Sequence, residues 1–123
     1  MKSRDSAMRT KRFDVDTKAR KVADLEMMIR DFETMASDLD RQIRAEEDRT
    51  GVRDIAHFAY STFAKSAAQR RDNLRSSANE LKAKLEAAQQ ERDAAAADLS
   101  RSDGEAQPGG RRSIERSHGF PLR

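Results

Sequence analysis

The sequence predicts an all-α fold: an antiparallel two-helix coiled-coil hairpin with a disordered C-terminal tail. Three observations carry that expectation. Met8, Val15, Val22, Ile29, Ala36 and Ile43 recur at every seventh residue, with Leu25, Phe32 and Leu39 three places further along. Apolar residues so spaced line the seam of a coiled coil. The chain also supplies a matching ladder, Tyr60, Ala67, Leu74, Leu81, Ala88 and Ala95, interleaved with Ala64, Ala78, Leu85 and Leu99. Between the two ladders lies Thr50-Gly51, and glycine tolerates the left-handed conformation in which helices commonly end.

Helix one is expected over about 4–49, where no proline interrupts the ladder. Its charges are polarised. Residues 2–21 are mostly basic, whereas Asp24, Glu26, Asp31, Glu33, Asp38, Asp40, Glu46 and Glu47 form an acidic block. A chain that folds back near Gly51 sets this block against Arg70, Arg71 and Arg75, and the basic end against Glu86, Glu91, Asp93 and Asp98. A parallel dimer of helix one would instead oppose like charges, so charge selects the antiparallel hairpin. Each exposed pair contributes only about 0–1 kcal/mol and sets orientation more than stability.

The connection, 50–60, contains Ile55, Phe58 and Tyr60 and is expected to include a short helical turn starting at Asp54. Ser61 is placed to cap helix two, expected over about 61–101. This second ladder is rich in alanine, which removes less apolar surface from water than leucine or isoleucine, so stability should be modest and the ends should fray. Arg71 and Arg92 occupy seam positions, from which long stems can lie along the seam while the charged ends reach out, Arg71 towards Glu33 and Arg92 towards Asp14 or Asp16. The hairpin domain is therefore 1–101. Residues 102–123, with Gly104, Pro108, Gly109, Gly110 and a scatter of arginines, carry no heptad and are expected to be disordered.

The same composition narrows the functional classes. Of the 123 residues 38% are charged and 5% aromatic, the signature of solvated helices. A helix pair encloses no water-free cavity of the kind small-molecule chemistry uses. There is no cysteine, and His57 and His118 lack the spacing of a metal site. No nucleophile can be paired with a base, and no glycine-rich loop joins a strand to a helix to hold phosphate. The chain is thus expected to be no enzyme and to need no cofactor or metal. Nucleic acid is not an expected partner either, because Asp5, Asp14, Asp16 and Asp72 interrupt the basic segments and stacking aromatics are sparse. No apolar run approaches a membrane span and none follows Met1 as a signal sequence would, so a cytoplasmic protein is expected, reaching a membrane only through protein partners.

Contacts with other proteins are the remaining class. In the heptad phase of helix one Phe13 and Met27 project outward, and Met28 and Met35 flank the ladder. Phe58, Tyr60 and Phe63 form a second apolar group at the fold-back. The candidate partner-binding residues are therefore Phe13, Met27, Phe58, Tyr60 and Phe63. A structural alternative stays open, in which Phe58 folds over Ile43 and Ile55 to close the hairpin and the two flanking methionines only widen the seam. A monomeric hairpin is expected, with a self-associating structural coiled coil as the alternative.

Several phrases also resemble a known family: Met1-Lys2-Ser3-Arg4-Asp5, Leu25-Glu26-Met27-Met28-Ile29, Ala56-His57-Phe58-Ala59-Tyr60 and Ala67-Ala68-Gln69-Arg70-Arg71-Asp72-Asn73-Leu74. Together, over about residues 1–100, they look like the flagellar type III export protein FliJ in its alphaproteobacterial branch. That resemblance implies a cytoplasmic component of the export apparatus, peripheral at the inner face of the cell membrane. It implies an antiparallel coiled coil similar to the stalk of rotary ATPases. The implied partners are the export ATPase ring, the cytoplasmic domain of the export gate and the export chaperones. Members of the family continue the second helix further, whereas this chain turns to glycine and proline after Arg101.

Overall fold

A computed structural model describes residues 2–106. Two helices, α1 (Lys2–Thr50) and α2 (Thr62–Ala106), pack antiparallel and are joined by residues 51–61. Their contacts divide into two units, a loop-end unit (Ala23–Ala87) and a terminal unit drawn from the described residues before Ala23 and after Ala87.

In the loop-end unit the first ladder behaves as its spacing predicts. Leu25, Ile29, Ala36 and Ile43 are buried, and Ile43 forms a cluster with Ala64 and Ala67 against which Leu39, Tyr60 and Ala68 pack. On α2 the buried residues are alanines, while Leu74, Leu81 and Leu85 remain half-buried. Geometry explains the inversion: a short side chain at the line of closest approach is covered by the facing helix, but a longer one extends beyond what one partner can cover. Ion pairs reinforce one edge. Asp40 accepts from Arg71 at 2.9 Å and also pairs with Arg75, and Lys82 meets Glu33 at 2.9 Å.

These pairs revise the register. Arg71 does not reach Glu33, which lies two helical turns from Asp40 and is taken by Lys82. Residues 51–61 belong to neither helix, close to the expected connection of 50–60, and the acidic block does face Arg71 and Arg75; it is the individual partner of Arg71 that shifts.

In the terminal unit Met8, Val22 and Ala88 are buried, and Val15, Arg92, Ala95 and Leu99 are half-buried. Lys11 pairs with Asp98 at 3.4 Å and Lys21 with Glu91 at 4.0 Å, so the basic start of α1 does meet acidic residues of α2. Arg92 is the exception. It bonds its neighbour Asp93 at 3.1 Å, not Asp14 or Asp16, and Asp14 is engaged by Lys18 one turn along its own helix. The helix also runs past its predicted end at 101, through Ser102 and Gly104 to Ala106. One glycine costs a helix only about 1 kcal/mol relative to alanine. Lys11 donates to Ser102 Oγ and ties that turn to α1. The remainder of the predicted tail, 107–123, lies outside the described residues.

Candidate functional site

The fold-back is built from three local devices. The first stops α1: Gly51 adopts φ +75° and its N–H donates to Glu47 O at 2.8 Å, satisfying a carbonyl the helix would otherwise leave open. Thr50 Oγ1 then accepts the Val52 N–H at 3.2 Å and carries the chain out of the helix. The second device is a pair of tight turns. Asp54 Oδ1 accepts the Ala56 N–H and Asp54 O the His57 N–H, both at 3.0 Å, while His57 O accepts the Tyr60 N–H and its Nδ1 the Ala59 N–H, again at 3.0 Å. The turn expected at Asp54 is present, and a second follows it.

The third device fastens α2 to α1. Ser61 caps α2 by accepting the Ala64 N–H at 3.2 Å, and its hydroxyl donates to Glu46 Oε2 at 2.6 Å. Beside it the Tyr60 hydroxyl donates to Glu47 Oε2 at 2.7 Å. Two carboxylates in the last turn of α1 oppose that helix's dipole, but the same charges lie by the start of α2, where they are favoured. Arg49 also grips Glu46 through two hydrogen bonds, of 2.8 and 2.9 Å. The Arg49 guanidinium and then the Ser61 hydroxyl hold the Glu46 carboxyl down to a pKa of about 2. Hydrogen bonding to Glu47, reinforced by desolvation, raises the Tyr60 phenol. Asp40 is governed first by desolvation, which works against ionisation, but hydrogen bonds and charge from Arg71 and Arg75 outweigh it and the carboxyl ionises below its usual range.

This arrangement separates the three aromatics that the sequence groups together. Tyr60 is turned into the Ile43–Ala64–Ala67 cluster and closes the end of the seam. Phe58 does not fold over Ile43 and Ile55: it is 96% exposed and stacked on His57, with ring centroids 4.7 Å apart. Ile55 is exposed as well, so the connection presents Ile55, His57 and Phe58 to solvent. The two turns produce this, because their hydrogen bonds are satisfied locally and the ring of Phe58 points away from the seam that Tyr60 has filled. Phe63, in the first turn of α2, is 53% exposed.

On α1, Met27 is exposed roughly 35 Å along the helix from the connection at 1.5 Å per residue, and so belongs to a separate surface of the loop-end unit. Phe13, 65% exposed, lies in the terminal unit. What the residue pattern did not single out is the anchoring pair Glu46 and Glu47. A signal was available, since two carboxylates at the unfavourable end of a helix followed by a capping serine invite a cross-helix bond.

The grooves beside the loop-end seam are open, one of about 410 Å³ between Glu33, Ala36, Arg75, Ala78 and Lys82 and another of about 240 Å³ around Met35, Leu39, Arg70 and Leu74. No cluster of three or more potential metal ligands occurs among the described residues. No helix among them is long and apolar enough to cross a membrane. Comparison with known families, with curated proteins and with solved structures found no match to this chain.

Proposed function

We propose that the chain is a non-catalytic component of the flagellar type III export apparatus, a stalk-like coupling and escort factor between the export ATPase ring, the cytoplasmic domain of the export gate and the export chaperones. The reading is supported by an antiparallel coiled coil whose connection offers Phe58 fully to solvent, together with the phrases at 25–29, 56–60 and 67–74 that resemble FliJ. Its mechanism is differential binding. A single asymmetric helix pair inside a ring touches the subunits unequally and favours some conformations over others, which changes turnover without contributing a reacting group. Phe58, Ile55 and Phe63 are the residues assigned to gate or chaperone contact, whereas Tyr60 is committed to closing the hairpin. Location follows from these partners: cytoplasmic, at the inner face of the membrane through the apparatus.

The test is the steady-state rate of the export ATPase with and without the chain, alongside capture of the gate's cytoplasmic domain by wild type and by Phe58→Ala. Stimulation of the ATPase and loss of gate capture in the variant are expected. No change in rate, ring assembly or gate binding sinks the proposal.

The second reading is a structural coiled coil that associates with itself, favoured by the half-buried leucines that one partner helix leaves uncovered. Light scattering over a dilution series separates the two, since a monomeric hairpin keeps one mass and an assembly does not.

A further inference from the structure

We propose that the edge of the loop-end unit lined by Met28, Met35, Leu39 and Leu74 is a docking groove for an amphipathic helix of a partner protein, one that carries Lys or Arg beside its apolar face. This inference does not depend on the export reading.

The two edges of the seam differ in kind. One is closed by cross-helix ion pairs, Glu33 to Lys82 and Asp40 to Arg71 and Arg75. On the other, among the described residues of the loop-end unit, no ion pair or hydrogen bond joins α1 to α2; the pair of Lys21 with Glu91 that shares its heptad phase belongs to the terminal unit. In the heptad phase that opposite edge takes Met28, Met35 and Gln42 from α1 and Phe63, Arg70 and Ser77 from α2. Met28, Met35 and Phe63 are exposed, and the half-buried Leu39 and Leu74 form the floor of a groove of about 240 Å³ with Met35, Gln42 and Arg70 on its walls. Seam leucines reachable from solvent along a row of methionines make a surface to which an apolar helical face can adapt, because the unbranched thioether repacks easily.

Charge names the occupant. Asp24, Asp31 and Asp38 repeat at seven-residue spacing, and the latter two follow Met28 and Met35 by three residues, on the same side of α1. Asp24 and Asp31 enter no ion pair among the described residues, and Asp38 meets only Arg41 of its own helix. An acidic row along α1, beside the leucine floor and methionines of this groove, selects a helix with apolar anchors at three- and four-residue steps and cations on the flank that faces α1, opposite the Arg70 wall. A second copy docking α1 against α1 would set the aspartate row against itself.

The experiment uses the full chain, with its methionine methyl groups labelled for NMR, and two synthetic three-heptad helices. Both peptides have Leu at the seam positions; one has Lys at the flanking positions and its twin has Glu. The Lys peptide is expected to bind, to shift the methyl signals of Met28 and Met35 and to leave that of buried Met8 in place. Met35→Glu should weaken it roughly tenfold or more, about 1.4 kcal/mol, while Met35→Leu preserves it. Asp31→Lys should weaken the Lys peptide and improve the Glu twin. Melting of each variant checks that the hairpin is intact, and Asp31→Lys, at an exposed position, supplies the test if Met35→Glu disturbs the fold. Failure of the Lys peptide to bind, equal binding of the twins, or shifts that bypass Met28 and Met35 would overturn the proposal. So would a dimer in the absence of peptide that Met35→Glu dissolves.

Discussion

The loop-end and terminal units are made from the same two helices by the same heptad rule, yet they are held differently. The first has a cluster of Ile43, Ala64 and Ala67, a tyrosine and a serine bonded to carboxylates of the facing helix, and ion pairs at 2.9 Å. The second has Met8, Val22 and Ala88 buried, with cross-helix pairs at 3.4 and 4.0 Å. The difference teaches that heptad continuity does not make a coiled coil uniform. Chain connection lets the loop end use short-range hydrogen bonds that ordered backbone has already aligned, whereas the terminal unit relies on longer, solvent-exposed ion pairs.

The largest break in that comparison should come from Ile43→Ala. Removing the anchor of the loop-end cluster is expected to destabilise the hairpin by about 2–4 kcal/mol, within the usual range for such deletions. Met8→Ala, in the terminal unit, should cost distinctly less. Thermal or urea melting measures both, and equal losses would erase the distinction between the units.

Ser61→Ala comes next, at about 1–2 kcal/mol. It removes the cap of α2 and the donor to Glu46 together. Ser61→Thr should recover most of the loss, and hydrogen exchange at Ala64 should report the opened turn first; unchanged exchange would count against the cap.

Acid should loosen the loop end by a separate route. Glu46 is held at about 2 by Arg49 and Ser61, below the usual carboxylate range. Its folded-state value is depressed, so its contribution is fully present above about pH 5 and is lost as pH falls through the folded value. Asp40 is lowered as well and acts in the same direction. Melting temperature is therefore expected to drop between about pH 5 and 2, and Glu46→Gln should flatten part of that drop.

The smallest effect sharpens the comparison instead of breaking it. Asp40→Asn weakens the pairs with Arg71 and Arg75 and should cost about 1 kcal/mol or less, with a difference from wild type that narrows as salt rises. A salt-independent loss would mean that packing of the arginine stems, not charge, accounts for it.

Much of this architecture was legible because a coiled coil writes its contacts at regular intervals. The ladder through Val22, Ile29, Ala36 and Ile43, the stop at Gly51, the cap at Ser61 and the exposure of Phe13 and Met27 follow from local rules of spacing and backbone preference. Exact pairings did not. Arg71 and Arg92 depend on where the fold-back is centred, and a connection of turns moves that centre without leaving a periodic mark. The end of α2 was also misplaced, since a glycine inside the last turns reads as a break until Lys11 is seen to reach Ser102. At the candidate site Phe58 and Tyr60 could not be told apart in one dimension. Both are aromatic, both lie near the fold-back, and only the hydrogen bond from Tyr60 to Glu47 decides which of them faces inward.

By itself, then, the sequence determined that this chain forms two antiparallel helices with their charges in opposition, because heptad spacing and charge sign act along the chain and need no knowledge of the partner's position. Only the tertiary structure decided the register, the fate of each loop aromatic and the contrast between an ion-paired edge and an open methionine edge. Those depend on distances across the seam, where a displacement of one helical turn replaces every partner while leaving the pattern of each helix unchanged.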